Sequence, residues 1–447
     1  MAGFFRPSGV DQLRLLPEDP RQWLPAGHLA FFLADVVGEL DLGAILRAYP
    51  GGRGPAGYDP RMLLTVVLYG YCNGVFSSRK IAARCETDIA FRVLAGGHRP
   101  DFRTLADFRK RHLAAFKVLF VEVLRLCREA GLVTLGHLAI DGSQYQANAS
   151  KHKAMSYRRM GEAEADLMAE VETLLHRAQE TDAAEDAEHG PTARGDELPA
   201  ELARREERLA KIREAKARLE ERARERARQR AEERGKSVEE VDAAATAATP
   251  GPKEQMNFTD PESRILKTKN GWVQGYNAQI AVDGPGGVIV AAEVNAQTAD
   301  SPRLIPVVEA VRANLAAAGP GAGAYPNKVS ADAGYCSEAN LKELETRGID
   351  GYIATGRERH RGQGIGGATP RSPHRAAMRE KLRTVEGKAV DALRKAIVEP
   401  VHGQIKAALG FRQFLLRGLA KVRGEFDLVA LSYNLRTLWR ARPTAIR

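Results

Sequence analysis

Two strand-forming stretches, HLAIDGSQYQAN from residue 137 and GWVQGYNAQIAVD from residue 271, stand on either side of a long charged interruption at residues 151–255. Any sheet that uses both stretches has to close across that interruption, so the interruption is an insertion in the fold that the first strand starts. Its first half, SYRRMGEAEADLMAEVETLLHRAQE, places Leu167, Val171, Leu174 and Leu175 on one helical face. A Gly/Pro-bearing turn, HGPTARGDELP, precedes a second helix in which Leu202, Leu209, Ile212 and Leu219 keep a heptad-like seam. Beyond Leu219 alanine is the only apolar residue, and alternating Arg and Glu offer pairs at i,i+4. The expectation is an antiparallel helical hairpin whose far end projects into solvent. Its interspersed charges read as a solvated face rather than a DNA site, and AAATAATPGPKEQ reads as a linker.

With the insertion set aside, the strands fall into an order. GWVQGYNAQIAVD and GVIVAAEVN are joined by Asp283-Gly284-Pro285-Gly286-Gly287, a strong hairpin signal. A helix opened by Ser301-Pro302 follows, then the short strand NKVSADAGY, the capped helix SEANLKELETRG and a last strand, DGYIA. Residues 360–375 read as a flexible basic loop, and the rest as helix to Arg447. Three antiparallel strands followed by alternating helices and strands define an α/β class: a mixed sheet with helices on its faces.

Residues 1–130 read as mostly helical. Pro60 opens the run PRMLLTVVLYGYC, and the long run after Asp101 takes Thr104 as a plausible cap and Gly131 as a stop. Short helices bearing Arg79, Lys80, Arg84, Arg92, Arg109, Lys110 and Arg111 suggest a helix-turn-helix that touches DNA; a helical bundle with a solvated basic face is the plainer alternative. The formal net charge of +10 over 447 residues favours a polyanionic partner, nucleic acid before membrane. Four scattered cysteines without a CxxC pair make a zinc site or disulfide framework improbable and fit a reducing cytoplasm. No apolar run of about 18 residues indicates a membrane span, and MAGFFRPSGVDQLRLL lacks the apolar core of a signal peptide.

Three carboxylates draw attention. Asp141 falls where the first strand is expected to end at a Gly-Ser turn, and Asp332 at the end of NKVSA. Glu399 is the one acidic residue in 393–424, a basic, semi-apolar stretch. Asp beside Gly is ordinarily turn chemistry, and a lone glutamate among Arg394, Lys395, Lys406, Arg412 and Arg417 is equally a salt-bridge partner. Together the three form the set a two-metal phosphoryl-transfer site requires, because magnesium takes a few carboxylates and leaves room for substrate phosphate. Asp300 reads as a cap for the helix after it, Asp283 as hairpin-turn chemistry, His402 as structural and Trp272 as a core or interface residue. Pro400 disfavours helical geometry at Glu399, so a helix either starts or kinks there, with Gly410 ending it.

The ordered set of motifs resembles the DDE transposases of bacterial insertion sequences. The matching features are the DG of AIDGSQYQAN, the AD-GY of SADAGYCS, and VEP-x-x-GQIK followed by GFRQFLLRGLAKVRGE. YDPRMLLTVVLYGY and SSRKIA with TDIAFRVLAGG are similar to that family's helical N-terminal domain, and TDPESRILKTKNGWVQGYNAQIAVD also looks familial. The resemblance covers almost the whole chain except the charged hairpin. It implies a ribonuclease-H-like catalytic domain at 133–156 and 256–447, an all-α DNA-binding domain at 1–132, and an inserted helical hairpin with linker at 157–255. It implies Asp141, Asp332 and Glu399 as catalytic residues and ligands of two Mg²⁺ (or Mn²⁺) ions, with Glu399 facing both aspartates. Lys406, Lys395, Arg394, Arg412, Arg79 and Lys80 are the implied DNA contacts. The implied partners are the element's terminal inverted repeats, target DNA and a second subunit, in a cytoplasmic, nucleoid-associated protein. A domesticated non-catalytic DNA-binding protein and a nuclease without strand transfer are the alternatives. The chain departs from the family pattern at one place: Asp391 and Ala392 stand where a tyrosine is expected before the glutamate.

Overall fold

The N-terminal helices are set by capping residues at their starts. In the computed structural model, which describes residues 19–49, 57–189, 200–268, 271–319, 325–356 and 372–442, they are α1 (Leu29–Glu39), α2 (Gly43–Leu46), α3 (Pro60–Cys72), α4 (Ser78–Thr87), α5 (Ile89–Leu94), α6 (Phe102–Arg111) and α7 (Leu113–Glu129). Asp59 accepts from Arg61 N at 2.8 Å ahead of Pro60, and Asp101 accepts from Arg103 N at 2.8 Å. The expected cap Thr104 therefore lies inside α6, and the run from Asp101 to Gly131 is two helices. His112 leaves helical geometry between them, and its imidazole pairs with the Tyr49 hydroxyl at 3.1 Å.

β1 (His137–Gln146) is longer than expected: it runs through Asp141 and Gly142, with no turn at that point. The sheet supplies the reason. After β2 (Ala154–Ser156), the insertion helices α8 (Tyr157–His189), α9 (Ala200–Glu232) and α10 (Val238–Thr246), β3 (Gln255–Asn257) and β4 (Arg264–Thr268), the chain enters β5 (Gly271–Asp283). β5 lies antiparallel along β1 from Leu138↔Asp283 to Gln146↔Gly275, giving every residue of that span a ladder partner. The other edge of β5 is shared by β6 (Val288–Asn295) and β4. On its far side β1 pairs in parallel with β7 (Lys328–Ala331), and β7 with β8 (Asp350–Ile353). The result is a six-stranded sheet, the ribonuclease-H-like mixed arrangement of three antiparallel strands followed by two parallel ones, with β4 added.

Helices pack against this sheet: α11 (Leu304–Ala317), α12 (Glu338–Thr346), α13 (Pro373–Arg383), α14 (Val385–Gly403) and α15 (Leu419–Arg440). α15 touches β6, α3 and α7, so the N-terminal helices and the sheet share one hydrophobic core that includes Tyr71, Phe116, Phe120, Ile140, Val290 and Phe426. α14 continues through Pro400 and ends in a π-helical turn, Gln404–Ala408, so Glu399 neither starts nor caps a helix. Pro400 is exposed, on a side where the backbone carbonyl it leaves unpaired can meet water. Gly410 ends the helical segment at φ +80°, as expected. Residues 411–418 are non-helical, with one β-bridge at Gln413. Gln146 N donates to Arg412 O at 3.0 Å and Phe414 N to Gln146 O at 2.9 Å, which extends the β1 ladder and seats Phe411 and Phe414 around Tyr145.

The insertion has a small core of its own: Met160, Leu167, Leu209, Ile212, Ala215, Leu219 and Met256. The Leu seam therefore holds where it is described, while Leu202 and the whole turn HGPTARGDELP lie outside the described side chains. The linker reading is corrected in part. Ser237 and Glu240 close a capping box that starts α10, which packs on α9 through Val241 and Ala245. Most of the basic loop at 360–375 also lies outside the described residues. Among those residues no helix is long and apolar enough to cross a membrane, and all four cysteines are free.

Candidate acidic centre

Parallel pairing of β1 with β7 ends at Ile140↔Ala331, so the next residue on each strand, Asp141 and Asp332, stand side by side. Asp141 Oδ1 accepts from Gly142 N at 2.9 Å, and Asp332 Oδ1 from Gly334 N at 2.9 Å. Burial pushes the Asp141 carboxyl up to about 7, and the charges of Asp332 and Asp300 add to the rise; Gly142 N and the Arg394 guanidinium oppose it. Asp332 is raised by burial first and then by the charge of Asp300, against the opposing bonds from Gly334 and Tyr335 and the charge of Arg394. Two neighbouring half-buried carboxylates held in excess of cationic charge are characteristic of a site that binds a cation or a proton.

Asp300 belongs to this centre, and the reading of it as a helix cap is corrected. It precedes a 3₁₀ turn, Ser301–Arg303, but makes no capping bond. Its Oδ1 accepts from Asn277 Nδ2 at 2.7 Å and Gln279 Nε2 at 2.8 Å, two side chains on one face of β5. Asn277 and Gln279 are buried polar residues of β5. That polar pair at i,i+2 was the sequence signal for a polar centre there. Asp283, read as turn chemistry, is a fully buried anchor instead, accepting from Thr134 N at 2.7 Å and Leu135 N at 2.9 Å.

α14 and its π turn lie over β1. Arg394, 7% exposed, forms an ion pair with Asp391 at 3.2 Å while acting on both Asp141 and Asp332. It is thus a buried part of the centre, not an open surface contact. His402 is buried against Tyr145, whose hydroxyl lies 3.3 Å from its Nδ1, and burial pushes the imidazole down to about 4. Lys406 Nζ donates to Ser143 Oγ and, at 2.7 Å, to Gln144 O, and lies 4.3 Å from the centre of the Tyr145 ring. Burial lowers that ammonium to about 8 against the opposing charge of Asp141. Lys406 is therefore committed to β1 here. Glu399 is exposed and forms no hydrogen bond or ion pair among the described residues. The charges acting most strongly on Asp141 are those of Asp332, Arg394 and Asp300. The structure thus brings Asp141 and Asp332 together with Asp300, and leaves Glu399 on a flank of α14 one turn from His402.

Arg79, Lys80, Lys395 and Arg412 are exposed; Arg79 lies over the Phe102 ring at 4.9 Å. Arg109 is not part of any surface, being buried with Nη1 donating to Tyr71 Oη and Phe76 O at 2.8 Å each. Trp272, at 55% exposed, is no core residue.

The donor set at the centre consists of hard oxygens with net negative charge, which suits a divalent cation of the magnesium type. Among the described residues no three His, Cys, Asp or Glu side chains form a ready-made cage. A sheet of this order with an acidic pair across β1 and β7 defines a ribonuclease-H-like protein with a carboxylate centre. A family model for the transposase DDE domain matches residues 244–435, and one for a transposase domain (DUF772) matches 18–111. The chain belongs to the DDE transposases of insertion sequences, DNA-binding and DNA-cleaving enzymes that generally use divalent metal ions. Asp332 and Glu399 lie within the first matched span, while Asp141 falls between the two. No curated protein and no solved structure matches the chain.

Proposed function

We propose that this transposase binds the terminal inverted repeats of its element, cuts one strand at each end, and joins the freed 3′-hydroxyl to target DNA. The observation that carries the reading is the side-by-side placement of Asp141 and Asp332, half-buried and short of compensating charge. These two, with Glu399 supplied from α14, are the residues assigned to hold two Mg²⁺ or Mn²⁺ ions. Metal ions held there would supply activation of the attacking oxygen and stabilisation of the leaving one. The chain's own part is to hold the carboxylates rigidly on paired strands, to offset their charge partly through Arg394, and to fix β1 through Lys406 and Tyr145. Water and then the sugar hydroxyl act as nucleophiles in line, without a covalent enzyme–DNA intermediate.

Exposed Arg79 and Lys80 on α4, with Lys395 and Arg412, are assigned to DNA backbone contact. Residues 1–132 serve end binding, 133–156 with 256–447 catalysis, and 157–255 form the insertion. Pairing of two DNA ends calls for a homodimer in the working complex, which acts in the cytoplasm on nucleoid DNA. The test is Asp141→Asn. Strand cleavage at element ends with Mg²⁺ falls at least about a thousandfold, since several kcal/mol of transition-state stabilisation go with the carboxylate. End binding in a gel-shift assay stays within about threefold of parental, because phosphate contacts elsewhere carry it. Cleavage at the parental rate overturns the assignment.

A further inference from the structure

We propose that Asp300 is a third carboxylate of this centre, a positioning residue whose charge raises affinity for a divalent cation held between Asp141 and Asp332. The inference rests on the reading of that pair as the metal-holding residues.

Gly142 of β1 stands opposite Gln279 of β5 in register. The Gln279 amide and the Asp300 carboxylate fill the space over it. A Cβ at Gly142 would lie 2.6 Å from Gln279 Nε2 and 2.8 Å from Asp300 Oδ1. On the other side, a Cβ at Gly334 would lie 3.1 Å from Asp300 Oδ2 and 3.0 Å from Asp332 Oδ1. One carboxylate therefore spans the gap between the residue after Asp141 and the second residue after Asp332. Glycine at both positions, in the DG and DAG segments, is what lets it enter.

The groups that fix Asp300 are neutral amides, Asn277 and Gln279, which orient a carboxylate without cancelling its charge. Among the described residues no Lys, Arg or His forms an ion pair with Asp300. A hard cation that keeps several of its waters finds there an oxygen able to accept from its water shell, beside two aspartates able to ligate it directly.

The experiment uses the full-length protein without DNA, titrated with Mn²⁺ and read by electron paramagnetic resonance. Melting temperature is measured in EDTA alongside. Asp300→Asn weakens Mn²⁺ binding by about tenfold, as expected when one charge leaves the set. Its melting temperature in EDTA is equal to or above parental, because repulsion among like charges is relieved. Asp300→Ser repeats the comparison should the Asn variant not fold. Parental Mn²⁺ affinity in a folded variant overturns the proposal, and so does a loss of melting temperature shared by both variants, which marks a structural residue. Asp141→Asn separates the two levels. If it also binds Mn²⁺ normally, the metal reading itself fails; if it loses binding while Asp300→Asn keeps it, only the role of Asp300 fails.

Discussion

The acidic centre and the helical insertion handle charge in opposite ways. In the insertion, carboxylates sit at the surface with cations on them: Glu164 accepts from Arg213 and Lys216 at 2.9 Å each, Arg205 meets Glu170 at 2.7 Å, and Arg218 meets Glu214 at 2.7 Å. The hydrogen bonds from Arg213 and Lys216 hold the Glu164 carboxyl below its ordinary value. At the centre, burial and like charges push Asp141 the other way, to about 7. Exposed pairs in water cost little to form and are worth little. A half-buried, unbalanced set opposes folding and persists because the sheet over-determines it. The contrast separates a region whose charge is solvated from one whose charge is held ready for a partner.

The largest effect outside the centre is expected in the insertion's small core. Ile212→Ala removes a side chain 2% exposed in that cluster and destabilises α8 and α9 locally by ~2–4 kcal/mol. Hydrogen exchange checks it: amides of α8 and α9 lose protection, while those of β1 and β5 keep theirs. Equal loss in the sheet would show that the two cores fold as one unit and break the comparison.

Asp427, buried on α15, extends the rule for buried carboxylates beyond the centre. Burial and Glu293 push its carboxyl up to about 7, with Lys117 and Arg423 opposing. The folded chain holds this proton up to about pH 7, whereas the unfolded chain releases it near the ordinary value of 3.8. Between those values folding takes up a proton, so this group's contribution to stability falls as pH rises. Asp427→Asn accordingly raises the melting temperature more at pH 8 than at pH 5, because the cost of releasing the proton builds up between the two values. A loss at pH 8 would show that the pairing with Lys117, at 3.9 Å, outweighs desolvation.

The smallest effect is expected at the exposed pair. Glu170→Gln shifts stability by ~0.2–1 kcal/mol at most, and added salt erases the difference. A larger shift that survives salt would mean that the insertion's charges are not simply solvated.

Much of the fold was legible. The change of period at residue 137, the Gly/Pro hairpin at 283–287 and the helix stops at Gly131, Gly348 and Gly410 are local chemistry, and each stands where its residues put it. α10 was missed although its capping box, Ser237 with Glu240, lies in the sequence; an alanine-rich stretch outweighed that signal. The strand through Asp141 was not legible, because Asp-Gly-Ser has the composition of a turn and only the ladder with β5 keeps it extended. The non-helical path of 411–418 was hidden in the same way, since its partners, Gln146 and the Tyr145 aromatic cluster, are remote in sequence.

By itself the sequence determined the class of fold, the family, and two aspartates worth pairing, because hydrophobic period, turn residues and motif order are properties of short stretches. Only the tertiary structure decided which charges meet. It seated Asp300 with Asp141 and Asp332, buried Arg394 and Arg109, turned Lys406 toward β1 and left Glu399 exposed. Burial and the approach of distant strands set those outcomes, and neither is encoded in spacing along the chain.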